Sequence, residues 1–305
     1  LGSQLVLAPY LGGKQFMVDT LLPLLPRHRV YVEVFGGAAS LLLNKAPSEV
    51  EVYNDADGDL VNLLMAIRDH SDRLIALVES LPYSRKLYQD WYKEFIRGVK
   101  PEDPVEAAAR YYLVLSSCFA GKFGGGWRHE RQHSTPEVFH NRAQHLPDIA
   151  SRLRNVLIDC LDYRRCIANW DGEDSFLFLD PPYYAMQGKQ YRHGFSPRDH
   201  EELASLLGGL KAKWLLTYGD HPHIREIYKA YRVVVSETHM ASQGRTRFTS
   251  EEVLDSDRPK LANLIITNYD PATLPRFAGA SQGLERFLSM IVDQAWTKRR
   301  RLLER

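Results

Sequence analysis

Cysteine is scarce: Cys118, Cys160 and Cys166 are all that 305 residues contain. Their spacing fits neither a disulfide framework nor a zinc site. Eleven histidines are present, yet none is spaced with sulfur or carboxylate partners in a way that points to a metal centre, so no metal is expected. Such cysteine usage suits a reducing compartment. Long apolar runs are missing too, with none reaching the roughly 18 residues of a membrane span, and no signal-like run opens the chain. The expected setting is cytoplasmic, without a membrane partner. An excess of one charge is also lacking, since 39 Lys/Arg face 38 Asp/Glu for a net charge of +1. The total therefore says nothing about nucleic acid; only the distribution of charge can.

What is there is an ordinary globular composition, 44% hydrophobic and 25% charged. A chain of this length buries roughly 75% of its extended surface and needs no staples. The run VYVEVF (30–35) reads as a strand closed by Gly36-Gly37, and AASLLLNKA follows as a helix. SEVEVYNDAD then reads as a second strand and GDLVNLLMAIRD as a second helix. This alternation predicts the opening of a parallel α/β sheet. Strands resume with NVLIDC (155–160), SFLFLD (175–180), AKWLLTYGD (212–220), YRVVVSETH (231–239) and ANLIITNYD (262–270). The intervening stretch is helical in pattern and basic. Residues 81–154 hold twelve Lys/Arg against eight Asp/Glu, with four histidines besides. Three divisions are expected: an α/β unit from 1–70 and 155–270, a basic helical insertion at 71–154, and a C-terminal helical extension at 271–305.

In open α/β sheets, ligands bind beyond the carboxyl ends of the strands. The residues there are Glu33, Phe35-Gly36-Gly37, Asn54-Asp55, Asp162 and Asp180-Pro181-Pro182-Tyr183. Glycine admits a ligand close to the backbone. An acidic residue about twenty positions later can accept from a ribose hydroxyl, and Asp55 is so placed after Gly36. The stretch FLFLDPPYYAM is built to stop. Two prolines fix φ and remove two N–H groups, leaving carbonyls free to face a ligand. A carboxylate beside such a carbonyl suits an amino group with two hydrogens to give, and Tyr183 suits the flat face of the same ligand.

Together these motifs resemble the alpha, Dam-like group of DNA adenine-N6 methyltransferases, which use S-adenosylmethionine. YLGGK resembles the group's N-terminal W-x-G-G-K, with Tyr10 for the tryptophan, and with Gly13 and Lys14 matched. EVFGGAA resembles its cofactor turn, and places Glu33, Phe35, Gly36 and Gly37 around the methionine part of the cofactor. DADGDL puts Asp55 on the ribose, with Asp57 where the group has asparagine. LDYRRC loosely matches the segment that assigns Asp162 to the adenine amino group and Tyr163 to its ring. DPPY is intact, and makes Asp180, Pro181, Pro182 and Tyr183, helped by Lys14, the expected catalytic set, with Asp180 also near the cofactor. The resemblance spans roughly residues 8–270.

It implies a Rossmann-like S-adenosylmethionine-dependent methyltransferase sheet with a mostly helical DNA-binding insertion. The implied reaction moves a methyl group to N6 of a flipped adenine in double-stranded DNA and leaves S-adenosylhomocysteine. Lys122, Trp127, Arg128 and His129 in the glycine-rich loop, and Arg245 and Arg247 in a later one, are the expected DNA contacts. The implied enzyme is bacterial or bacteriophage-encoded and monomeric, and can be paired with a restriction endonuclease. Two alternatives stand beside it: an amino methyltransferase acting on RNA or protein, and an inactive DNA-binding relative. Asp180 weighs against the first, whose members usually carry asparagine there. Lys14, Asp55, Asp162 and the intact motif from Asp180 to Tyr183 weigh against the second.

Overall fold

Alternate residues of the central strands face opposite ways, and each set finds its own layer of helices. In β1 (Val30–Glu33), Tyr31 joins one apolar cluster while Val30 and Val32 join another. In β4 (Ser175–Leu179), Phe176 and Phe178 face the first cluster, and Leu177 and Leu179 the second. Every residue of both strands is buried, as expected of parallel strands covered on both faces. The computed structural model describes residues 4–10, 12–129, 134–184, 194–239 and 260–276, with positions 284, 286, 287 and 290.

Seven strands form one sheet in the order β3-β2-β1-β4-β5-β7-β6. The remaining strands are β2 (Val50–Asn54), β3 (Val156–Asp159), β5 (Lys213–Gly219), β6 (Arg232–His239) and β7 (Lys260–Thr267). The first five run parallel; β7 pairs antiparallel with both β5 and β6. All seven expected strands are present, and the sheet is the Rossmann-like arrangement that the strand–helix alternation anticipated. From β1 the order runs to β2 on one side and β4 on the other. That reversal makes the carboxyl ends of β1 and β4 the switch point, where a ligand crevice opens.

Helices α1 (Val18–Leu21), α2 (Ser40–Asn44) and α3 (Gly58–Ser80) cover the first face. With them pack α4 (Arg85–Ile96), α5 (Pro104–Ser116), α6 (Thr135–Ala143) and α7 (Leu146–Leu153). The second face is covered by α8 (Tyr163–Trp170), α9 (Pro197–Gly208) and α10 (Pro222–Ile227). The basic helical stretch therefore shares one core with the sheet. At His70 the backbone of α3 leaves helical geometry, and two helical segments meet there across a kink. Most of the expected C-terminal helix lies outside the described residues, although Leu284 and Phe287 pack on the first cluster.

One buried ion cluster ties α7 to the sheet. Arg152 donates to both Glu51 oxygens (2.6 and 2.8 Å) and to the Leu42 carbonyl (2.7 Å), while Lys45 reaches Glu51 at 2.5 Å. Burial alone pushes the Glu51 carboxyl up, but the bonds from Arg152 and Lys45 outweigh it and hold it below its ordinary value. Removing one partner leaves a buried charge short of compensation. Arg152→Ala is therefore expected to lower the unfolding free energy by about 3 kcal/mol. Urea denaturation checks this, and a loss indistinguishable from zero refutes it.

Candidate active site

The switch point is a cleft of ≈ 180 Å³. Its wall is built first by the turn after β1. Gly36 donates to the Asn54 carbonyl (2.7 Å), which draws the turn against β2. A Cβ at Gly36 would sit 2.1 Å from the Tyr53 ring, so only glycine fits there. Tyr53 donates its hydroxyl to the Gly37 carbonyl (2.8 Å), and the Tyr10 ring lies against Gly37. Asp55 ties the β1 and β2 turns together. One of its oxygens accepts from Gly37 N–H and the other from Asp57 N–H, each at 2.8 Å. Asp57 caps α3 by accepting from the Asp59 and Leu60 N–H groups (3.0 and 3.3 Å), and accepts the Tyr111 hydroxyl of α5 at 3.1 Å. A second oxygen for Tyr111 is what a carboxylate at position 57 provides here.

Glu33 ends β1 and is buried. Its Oε1 accepts from the Tyr31 hydroxyl (2.8 Å) and from Leu42 N–H (2.6 Å). Its Oε2 is enclosed and has no hydrogen-bond partner among the described residues. Burial lifts this carboxyl to about 7, against the pull of Tyr31, Leu42, Lys45 and Arg152.

At the other end of the cleft stand three aromatic rings. Phe35 and Tyr163 lie 5.5 Å apart between ring centres, and Phe195 lies 5.4 Å from Tyr163 and edge-on to Phe35 at 5.7 Å. Phe195 rests edge-on against His200, 4.7 Å between ring centres. Burial holds His200 down at about 4, and its Nδ1 meets the Tyr218 hydroxyl at 2.8 Å. Asp162 caps α8 beside them, accepting from Arg164 N–H at 2.9 Å.

Between these ends lies Asp180, just past β4. Its Oδ1 accepts from Thr217 (2.6 Å) and its Oδ2 from Lys14 (2.5 Å). Burial pushes the Asp180 carboxyl up, opposed by the charge of Lys14 and the bonds from Lys14 and Thr217. Lys14 is itself buried, also bonds the Gly12 carbonyl (2.6 Å), and stands 4.9 Å over the Tyr183 ring. Tyr183 packs on Tyr218 at 6.0 Å and donates to Asn263 at 3.3 Å. Gly219 gives its ring room, since a Cβ there would come within 2.9 Å.

One cleft thus brings together Tyr10, Gly13, Lys14, Glu33, Phe35, Gly36, Gly37, Asp55, Asp162, Tyr163, Asp180 and Pro182, with Pro181 and Tyr183 adjoining. Thr217, Asn263, Arg164 and Phe195 were not anticipated. A buried threonine in a strand is the sole signal that could have marked Thr217. In the glycine-rich loop, Cys118 and Trp127 form an isolated bridge, and the Trp127 ring packs on Tyr83 and Tyr88 at 4.4 and 5.5 Å. Lys122, Arg128 and His129 share that loop, as does Phe119, which is 57% exposed. Arg245 and Arg247 lie outside the described residues. Among the described residues no cluster suits a metal ion, and no helix is long and apolar enough to cross a membrane.

Asp180 and Pro182 thus face the same acidic crevice as Glu33, Asp55 and Asp162. The chain matches the D12 class N6 adenine-specific DNA methyltransferases over residues 10–242, and it belongs to that family. It is 26% identical over 247 residues to the type II methyltransferase M.CviBI of Paramecium bursaria Chlorella virus NC1A, covering 78% of this chain and 89% of that one. It is 24% identical over 270 residues to the DNA adenine methylase of Escherichia coli (strain K12), covering 81% and 93%. The Salmonella typhi DNA adenine methylase is likewise 24% identical, over 273 residues. Membership of the family implies use of S-adenosylmethionine.

The state of Glu33 is open to a direct check. Its folded-state value of about 7 lies above the ordinary 4.5, so folding holds its proton more tightly. That stabilisation is complete below the ordinary value and is lost as pH rises through about 7. Glu33→Gln cannot ionise, so its stability relative to the parent should climb by about 3 kcal/mol across that window. Urea unfolding at a series of pH values measures it, and a difference flat in pH contradicts it.

Proposed function

We propose that this protein transfers a methyl group from S-adenosylmethionine to N6 of an adenine turned out of double-stranded DNA. One observation carries the reading: Asp180, anchored by Thr217 and Lys14, opens on the same cleft as Glu33, Asp55 and Asp162. Six carboxylates line that cleft against two cations, Lys14 and Arg164, each already paired with one or more of them. Such a lining fits a cationic ligand. The enclosed, unpartnered Glu33 Oε2 fits its ammonium group, and Asp55 is placed for the ribose. Asp162 and the aromatic trio fit the adenine.

When bound, the cofactor supplies an electrophilic methyl group on sulfur. The chain's part is to bind and orient the acceptor. Asp180 and the Pro181 carbonyl accept the two N–H groups of N6, which draws its lone pair out of conjugation and stabilises positive charge on nitrogen. N6 would accept the methyl group that the bound cofactor supplies, and the resulting cationic amine would then shed its proton. Asp180 is the nearest acceptor for it. Pro182 fixes the backbone, and Tyr183 offers a flat face to the extruded base. Lys14 now occupies both Asp180 Oδ2 and that face, so an incoming adenine displaces it.

On this reading residues 71–154 form the DNA-binding part, residues 1–70 and 155–270 the catalytic part, and 271–305 an extension. Lys122, Arg128 and His129 contact phosphate, with Trp127 holding their loop in shape. Phe119 stacks on bases, and Arg245 and Arg247 complete the contacts. One chain supplies every group named, so a monomer suffices. A cognate restriction endonuclease is compatible with this reading.

Asp180→Asn should keep cofactor binding and lose methyl transfer at least about 100-fold. The assay is N6-methyladenine in digested duplex DNA. Full activity of the variant, or transfer to RNA or protein instead, ends this reading. Phe119→Ala should weaken duplex affinity about tenfold and leave cofactor affinity unchanged; unchanged duplex affinity removes Phe119 from the interface.

A further inference from the structure

Arg164 is tied to three carboxylates at the aromatic end of the cleft. Its Nε and Nη2 donate to the two Glu202 oxygens, each at 2.7 Å, and Nη2 also reaches Asp199 at 2.6 Å. Its Nη1 turns the other way, to Asp162 Oδ2 at 3.0 Å and Oδ1 at 3.3 Å. The guanidinium lies over the Tyr163 ring at 4.4 Å. Asp162 has a half-exposed side chain at the N-cap of a short helix. Left alone, such a carboxylate samples several rotamers. Here Oδ1 takes both Arg164 N–H and Nη1, whereas Oδ2 takes Nη1 alone. The lone pair left on Oδ2 is thus held in one place beside the aromatic slot.

We propose that Arg164 is a positioning residue that sets the base selectivity of the cofactor cleft, by locking Asp162 as an acceptor for an exocyclic amino group. This rests on the cofactor reading given above. A purine with an amino group at C6 meets a fixed acceptor. A purine with a carbonyl there sets oxygen against carboxylate, leaving both without a donor. Glu202 and Asp199 anchor the guanidinium from α9, and Glu202 does so without lining the cleft. A mere clamp between α8 and α9 would affect all ligands alike; a lock on Asp162 affects only those that differ at C6.

The test is calorimetric titration of the full chain with S-adenosylhomocysteine and with S-inosylhomocysteine, which carries a carbonyl in place of the amino group. The parent protein should prefer the adenosyl compound by roughly 100-fold or more. Arg164→Gln should cut that ratio about tenfold, mainly by weakening the adenosyl compound. Glu202→Gln should move it the same way by less, and it serves alone if Arg164→Gln fails to fold. Equal loss for both compounds, or an unchanged ratio, overturns the proposal while leaving the cofactor reading intact. Binding of neither compound by the parent protein overturns both.

Discussion

A carboxylate buried at the end of a central strand is the constraint around which the rest is arranged. Asp180 is only 15% exposed at the floor of the cleft, so its surroundings must supply most of what water would. Thr217 does so from β5, because the parallel register sets Leu179 opposite Leu216. Lys14 does so from the N-terminal segment, more than 160 residues away in sequence. Helices on both faces keep β1 and β4 dry, and the two prolines end β4 before it can bond onward. Any drift in these elements would leave a charge unpaired in the interior, a cost that few proteins can absorb.

The near-zero net charge conceals a division of labour. Carboxylates converge on the cleft, whereas the helical stretch packed on the first face carries the surplus of lysine and arginine. An acidic crevice suits a sulfonium cofactor, and a basic flank suits a phosphate backbone. The flank is joined to the crevice by definite bonds. Tyr111 of α5 reaches Asp57, and Arg152 of α7 donates to the carbonyl of Leu42, the residue whose N–H bonds Glu33.

Strand positions, the switch-point residues and the DPPY turn were legible in the chain because each is a local signal. Apolar alternation marks Tyr31 and Val32 as facing opposite layers. Gly36-Gly37 announces a turn with no room for side chains, and Pro181-Pro182 a backbone with fixed φ and no N–H groups. The departure at Asp57 was visible as a letter, but its reason, the Tyr111 hydroxyl, was not. Equally hidden was the inward turn of Trp127 onto Tyr83 and Tyr88, since a tryptophan in a glycine-rich run reads the same whether it faces solvent or core.

By itself the sequence determined the class of fold, the residues at the carboxyl ends of the strands, and the acidic character of the site. The tertiary structure alone decided which side chains satisfy them: Thr217 and Lys14 on Asp180, Arg164 on Asp162, and nothing on Glu33 Oε2. The reason is physical. Periodicity and turn chemistry act between neighbours in the chain, whereas burial and charge pairing act between residues that only folding makes neighbours.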